Sequence, residues 1–104
     1  MIGQQEFDAL VAMYDTHGWI LRAVVRKDGG ATKIKPSAGV DVADGVVDAA
    51  WFSRPPKAES IPWEIRFLGP TQYALVEHLD ENSPDFEERL RETEQRLADA
   101  VAAK

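Results

Sequence analysis

The chain has 104 residues and a mass of 11.6 kDa, which predicts a single domain because two halves would each be too small to bury a core unaided. Hydrophobic residues make up 44% and charged residues 29%, values typical of soluble globular proteins. The absence of cysteine excludes disulfides, thiolate metal sites and a cysteine nucleophile. A formal net charge of -6 repels phosphate polymers and anionic membranes, so we expect no nucleic-acid or membrane partner.

The N-terminal sequence, MIGQQEFDAL, lacks the basic start and the long apolar run of a secretory signal. No apolar stretch approaches the ~20 residues needed to cross a bilayer. We therefore expect a cytoplasmic protein without a membrane span.

The segment after the N-terminus has the apolar spacing of an amphipathic helix. Hydrophobic side chains recur at i, i+3, i+4 and i+7, namely Phe7, Leu10, Val11 and Tyr14. This spacing predicts a helix over residues 4–16. Gly18 follows where a left-handed C-terminal cap would end that helix.

Strand-like composition follows the first helix. Residues 19–27 (WILRAVVRK) and 46–54 (VVDAAWFSR) are rich in β-branched and aromatic side chains, and two prolines end the second segment. Strict alternation in residues 19–27 predicts one wholly apolar face. Between the two segments, residues 31–35 suit a short edge strand, and residues 36–45 are predicted to be a loop because they have turn-forming residues without a sustained period.

The clearest hairpin joins predicted strands at residues 63–68 and 72–79. The turn GPTQ has proline at the first central position of a type I turn. A four-residue loop then pairs Leu68 with Tyr73. The predicted apolar face of this hairpin consists of Trp63, Ile65, Phe67, Ala74 and Val76.

The C-terminal segment has the strongest helix signals. Asn82 or Ser83 can cap it, Pro84 fits the first turn, and acidic residues crowd its positive end, which predicts a helix over residues 84–102. The apolar stripe comprises Phe86, Leu90, Thr93, Leu97, Ala100 and Val101. The stripe also fits a heptad seam, but about two heptads are too few for a coiled coil, so packing on the sheet is favoured.

The order of the elements predicts the fold class. Helix, three or four strands and helix indicate one α+β domain over residues 1–104. We expect an antiparallel three- to four-stranded meander flanked by an N-terminal and a C-terminal helix.

The titratable side chains form no recognisable catalytic or metal-binding motif. His17 falls in the last turn of the first helix, where it complements the dipole, and His78 lies at the edge of the predicted apolar face. The predicted register sets Glu64 opposite Glu77, a pair that would share a proton if isolated, but Arg66 beside them favours an ordinary solvated pair. We therefore expect no catalytic residue, no metal and no cofactor.

A basic stretch stands out in the acidic chain. The bases between residues 22 and 35 are Arg22, Arg26, Lys27, Lys33 and Lys35, against the single acid Asp28. With two adjacent glycines, this stretch would suit a small anionic ligand. The favoured interpretation is a charged sheet edge that discourages strand-to-strand aggregation.

Aromatic residues are concentrated around one strand end. Adjacent Trp51 and Phe52 must point to opposite faces of the sheet, so one of them is exposed unless helices cover both faces. Exposed aromatics beside an arginine are typical of an interface centre. The sequence therefore predicts a non-enzymatic binding domain that forms a homodimer or binds a protein partner through this surface. The candidate interface or ligand residues are Trp51, Phe52, Arg54, Trp63, Arg66 and His78.

The alternative is a small-ligand-binding protein or a small enzyme with a pocket between sheet and helices. Its polar groups would come from His78, Glu64, Glu77 and Arg66. Convergence of these side chains in a buried site would favour this alternative over an interaction surface.

Overall fold

The computed structural model describes residues 2–27, 34–36, 39–55, 61–69 and 71–103. The elements in chain order are α1 (Gln4–Thr16), β1 (Ile20–Arg26), β2 (Asp41–Asp44), β3 (Ala49–Ser53), β4 (Ile61–Phe67), β5 (Ala74–Leu79) and α2 (Phe86–Ala102). Both helices fall within the ranges that their apolar spacing predicted.

The strands form one mixed sheet in the order β2-β1-β3-β4-β5. Antiparallel pairs join β1, β3, β4 and β5, whereas β2 lies parallel to β1 at the sheet edge. The expected α+β fold with flanking helices is thus confirmed in its coarse form. The predicted purely antiparallel meander of three or four strands is wrong, because the sheet has a fifth, parallel strand.

This fifth strand, β2, lies in a segment predicted to be a loop. Its sequence, DVAD, has no hydrophobic alternation, and three of its four residues are exposed. Asp41–Asp44 instead pairs with Ala23–Arg26 in β1, and main-chain pairing of this kind needs no particular side chain. The edge strand expected at residues 31–35 lies mostly outside the described residues, and Ile34 and Lys35 are not in a strand.

The two helices cover opposite faces of the sheet, here called the α1 face and the α2 face. The core on the α1 face consists of Phe7, Tyr14, Val24, Ile34, Ala50, Phe52 and Leu68. The core on the α2 face consists of Val25, Val47, Ala49, Trp51, Trp63, Ile65, Leu79, Leu90 and Leu97. Because β3 lies between both cores, all five of its residues are buried.

A β-bulge at Arg22 divides β1 between the two cores. Leu21 pairs with Phe52 and Ala23 pairs with Trp51, so Arg22 is the extra residue. Leu21 packs against the core on the α1 face, and Ala23 packs against the core on the α2 face. The predicted single apolar face of β1 is therefore wrong, because the bulge interrupts the side-chain alternation.

The hairpin of β4 and β5 is shifted by one residue from the predicted register. Glu64 pairs with Val76, and Trp63 pairs with Glu77. A slip of one residue moves side chains to the other face of a sheet. Glu64 and Glu77 therefore lie on opposite faces, and the predicted carboxylate pair is wrong. Val76 and Ala74 also leave the predicted apolar face, and both are exposed.

The position of Leu68 explains this shift. Its N–H donates to the Asp48 carbonyl at 2.9 Å, and its carbonyl accepts from the Ile2 N–H at 3.1 Å. Its side chain is fully buried on the α1 face. The Tyr73 carbonyl consequently accepts from the Phe67 N–H at 2.9 Å, and the loop gains one residue. The main chain of Leu68 thus bonds away from β5, and Tyr73 pairs with Phe67 instead.

Candidate functional site

The bulge in β1 directs Arg22 towards the α2 face. The Arg22 Cζ lies 4.7 Å from the centroid of the Trp63 ring, an arrangement in which the ring quadrupole attracts the cation. The guanidinium also donates to Ser53 Oγ at 2.9 Å and to the two Glu81 carboxylate oxygens at 3.1 and 3.2 Å. The bulge therefore orients a cation against an aromatic face and a carboxylate.

Glu94 is a buried charge on the α2 face, with only 1% of its surface exposed. Its Oε2 accepts from Trp51 Nε1 at 2.9 Å and from Arg91 Nη1 at 2.5 Å. Arg91 also lies 3.4 Å from the Glu87 carboxylate. A buried carboxylate needs such partners because its desolvation is costly. Glu94 consequently orients the Trp51 indole and joins α2 to the central strand.

Close packing beneath Glu94 requires a glycine. A Cβ atom on Gly45 would lie 2.5 Å from Val25 Cγ1 and 3.4 Å from Glu94 Oε1. The Cβ atom would therefore overlap with Val25, and in a close-packed core the overlap could be relieved only if neighbouring atoms moved. Gly45 therefore allows the chain to pass directly under the Glu94 carboxylate.

The groups around Arg22 and Glu94 line an open cleft of about 590 Å³ between α2 and the sheet. Its aromatic wall is formed by Trp51, Trp63 and Phe86. The Trp63 ring stands edge-to-face with both neighbours, at centroid distances of 6.1 Å from Trp51 and 5.3 Å from Phe86. Asp41 and Val42 of β2 contribute to the lining. The volume lies within the range of small-molecule sites.

Acidic side chains outnumber basic ones around the cleft. The ionisable residues that line it are Arg22 and Arg91 together with Asp41, Glu81, Glu87 and Glu94. When all are ionised, the lining has a formal excess of two negative charges. The field within the cleft therefore favours a cation over an anion.

The predicted interface aromatics are buried in the folded chain. Trp51, Phe52 and Trp63 are only 2%, 0% and 4% exposed. Phe52 stacks on Tyr14 beneath α1 at a centroid distance of 4.0 Å, whereas Trp51 and Trp63 line the cleft beneath α2. Because a helix covers each face of the sheet, the expectation of an exposed aromatic surface at these residues is wrong.

Arg54, another predicted interface residue, holds the turn between α1 and β1. Its Nε and Nη2 donate to the His17 carbonyl at 3.1 and 2.5 Å, and its Cζ lies 4.8 Å from the Trp19 ring centroid. Gly18 in this turn has a φ of 84°, which a residue with a Cβ rarely adopts. Arg54 thus stabilises the predicted left-handed end of α1.

Only two of the four polar side chains predicted for a pocket meet, because Glu64 and Arg66 both lie at Tyr14 on the α1 face. Glu64 accepts a hydrogen bond from the Tyr14 hydroxyl on the α1 face. Glu77 instead pairs with Arg96 of α2, at 2.5 Å. His78 is exposed on β5, and neither it nor Arg66 lines the cleft described above. The site therefore uses a different set of polar groups from the one expected.

The predicted basic stretch is distributed among separate contacts. Arg22 lies in the cleft, and Arg26 pairs with Asp44 at 3.4 Å. The remaining described lysines are held through their main chains, Lys27 by Asp48 Oδ1 and Lys35 by Gln4 Oε1. Lys33 lies outside the described residues. An anion site formed by this stretch stays a prediction.

Sequence reasoning missed Glu81, Glu94, Arg91 and Phe86 as site residues. One signal was present, because Glu94 lies four residues after Leu90 and three before Leu97, within the apolar stripe of α2. A carboxylate in such a stripe indicates a buried hydrogen-bond partner. The bulge that places Arg22 in the cleft has no comparable signal in the sequence.

On the α1 face, Tyr14 has a shifted pKa. Burial, followed by the hydrogen bond that its hydroxyl donates to Glu64, raises the pKa of Tyr14 from 10.0 to about 12, while Arg66 opposes the rise. The protonated phenol is therefore the form that the folded protein stabilises.

We expect Tyr14 to make the folding stability depend on pH at high pH. Its contribution is fully present below pH 10.0, the ordinary pKa of tyrosine in an unfolded chain, and is lost as the pH rises through the folded pKa of about 12. The loss should be on the order of 2 kcal/mol. Urea unfolding across this range should show a weaker pH dependence for Tyr14→Phe than for the wild-type chain. Identical pH profiles for the two proteins would contradict the assignment.

Comparison with protein-family models, with curated proteins and with solved structures finds no match to this chain. Among the described residues, no helix combines the length and the apolar character needed to cross a bilayer. The same residues contain no group of three or more His, Cys, Asp or Glu side chains placed to hold a metal ion. Function must therefore be argued from the site itself.

Proposed function

We propose that this protein binds a small organic cation in the cleft between α2 and the sheet. The position of Arg22 carries the proposal. Its guanidinium lies 4.7 Å from the Trp63 ring centroid and pairs with Glu81 at 3.1 Å. An ammonium or guanidinium group of a ligand that displaced Arg22 would meet the same aromatic face and the same carboxylate. The position of the Arg22 guanidinium thus indicates that the cleft is suited to a cationic group.

The ion pair of Arg22 and Glu81 is open to exchange with a ligand. Their side chains are 36% and 39% exposed, and an ion pair at such a surface contributes only about 0–1 kcal/mol. A ligand cation can therefore compete for Glu81 at little cost. The excess of acids in the lining, which includes Glu87 and Asp41, supports the entry of a cation.

The polar groups in and beside the cleft favour binding over catalysis. Ser53 Oγ accepts from Arg22, and Glu94 Oε2 accepts from both Trp51 and Arg91. A serine nucleophile needs an adjacent base to accept its proton, whereas the partner of Ser53 Oγ is the donor Arg22. We therefore place the function in the class of ligand-binding proteins.

Titration with three ring compounds of matched shape tests the proposal. The indole N–H signals of Trp19, Trp51 and Trp63 are followed by ¹H–¹⁵N NMR during addition of benzylamine, benzyl alcohol or benzoate. We expect benzylamine to shift the signals of Trp51 and Trp63 saturably and to leave Trp19 unchanged, because Trp19 lies at the α1–β1 turn. Benzyl alcohol should bind more weakly and benzoate should not bind. Added salt should weaken the binding of benzylamine.

Two charge-removing variants provide the matched control. Glu81→Gln should weaken benzylamine binding by about two- to fivefold, since one exposed carboxylate is lost. Glu92→Gln, an exposed acid of α2 outside the cleft lining, should leave the affinity unchanged. If none of the three compounds shifts Trp51 or Trp63, the ligand-binding proposal fails. If benzoate alone binds, the cleft is a ligand site but the cation class is wrong.

A further inference from the structure

The two edges of the sheet differ in their protection against pairing with another chain. β2, at one edge, carries Asp41 and Asp44, and like charges oppose the addition of an identical strand. β5 (ALVEHL), at the other edge, contains no lysine, arginine or proline. Within the described part of the chain, β5 pairs only with β4 and in regular register. β5 is therefore the edge open to strand addition.

The outward-facing backbone groups of β5 belong to Ala74, Val76 and His78. The Phe67 N–H donates to the Tyr73 carbonyl at 2.9 Å, so the main chain of Tyr73 faces β4. Hydrogen-bonded positions alternate along an antiparallel strand. The main chains of Leu75, Glu77 and Leu79 therefore also face β4. The three residues between them direct their N–H and C=O groups away from the sheet.

We propose that a second copy of this chain adds to this edge, with the two β5 strands antiparallel about a two-fold axis. Centring the axis on Val76 pairs it with the partner's Val76 and pairs Ala74 with the partner's His78. All the outward groups of these three residues are then bonded. Centring the axis on Glu77 would place two carboxylates opposite each other and leave Ala74 unpaired.

The side chains along β5 suit this pairing. Val76 is 52% exposed on the α1 face, so the two-fold contact buries two valines against each other. On the α2 face, Glu77 is already neutralised by Arg96 at 2.5 Å and Arg89 at 3.8 Å, and it would lie opposite the partner's Leu75. Each chain has a net charge of -6, so long-range repulsion opposes the contact. We therefore expect added salt to strengthen the dimer.

Sedimentation velocity from micromolar to millimolar protein tests the contact. We expect the wild-type chain to dimerise as concentration rises. Val76→Lys should abolish the dimer, because two lysines would meet at the axis, whereas Val42→Lys at the exposed edge position of β2 should leave it unchanged. Val76→Pro removes an outward N–H from each copy without affecting the pairing with β4, and should weaken dimerisation on the order of tenfold.

Cysteine cross-linking tests the register, since the chain has no cysteine of its own. In the proposed pairing the two Val76 Cα atoms lie ~5.5 Å apart, within the range of a disulfide. Val76→Cys should therefore form a covalent dimer on oxidation. Ala74→Cys should not, because its two copies lie ~13 Å apart along the strands. A wild-type chain that stays monomeric, a dimer that tolerates Val76→Lys, or cross-linking of Ala74→Cys alone would each overturn the proposal.

Discussion

Replacing Phe52 with alanine is expected to lower the free energy of unfolding by about 3–5 kcal/mol. Phe52 is fully buried on the α1 face, and its ring stacks on Tyr14 at a centroid distance of 4.0 Å. The substitution removes this contact and leaves a cavity between α1 and the central strand. The surrounding structure can relax only slightly, because both faces of β3 are covered and all five of its residues are buried. Urea unfolding followed by far-UV circular dichroism measures the loss.

The control for Phe52→Ala is Met13→Ala, at an exposed position of α1. That change should alter the unfolding free energy by no more than about 0.5 kcal/mol. Phe52→Leu provides a milder substitution if the alanine variant does not fold, and should cost about 1–2 kcal/mol. A loss below about 1 kcal/mol for Phe52→Ala would place the ring at the surface. That result would support the aromatic interface that the sequence predicts at this residue.

Replacing Glu94 with alanine is expected to cost about 3 kcal/mol of folding stability. The carboxylate is 1% exposed and accepts from Trp51 Nε1 at 2.9 Å. Its removal leaves the buried indole N–H without an acceptor, and an unsatisfied buried donor is costly. Chemical denaturation measures the stability, and ¹⁵N NMR of the Trp51 indole reports on the hydrogen bond.

Two further substitutions separate the contributions to the Glu94 site. Glu94→Gln keeps an oxygen acceptor for Trp51 and should cost only about 1 kcal/mol. Arg91→Ala removes a partner whose side chain is 51% exposed, so its effect should stay below about 1 kcal/mol. We expect the Trp51 indole signal to move most in Glu94→Ala. Equal losses for Glu94→Ala and Arg91→Ala would show that the ion pair, not the indole hydrogen bond, stabilises this region.

Local sequence signals were sufficient for the two helices and for the strands that carry the core. The spacing of Phe7, Leu10 and Tyr14 predicted α1, and the stripe from Leu90 to Leu97 predicted the buried side of α2. These patterns succeed because helix periodicity depends on neighbours three or four residues apart. Aromatic and β-branched composition similarly indicated β1, β3, β4 and β5.

The candidate site was only partly predictable from the sequence. Trp51 and Trp63 were singled out, but as exposed interface residues, since a sequence does not state which side of a sheet a distant helix covers. Arg22 appeared only as a member of a basic stretch. Its role in the cleft depends on a bulge that arises from pairing with β3. Glu94 was detectable in principle, because it interrupts an apolar stripe.

The sequence by itself determined the type and approximate limits of the main elements, because each depends on residues close together in the chain. Tertiary structure decided how these elements meet. It added β2 through main-chain pairing with β1, and it shifted the β4–β5 register because the main chain of Leu68 bonds to Asp48 and Ile2 instead of β5. It also placed the helices on opposite faces, so that Phe52 entered one core and Trp51 the other. Those outcomes depend on contacts between residues far apart in the chain, which the local periodicity of a single sequence does not record.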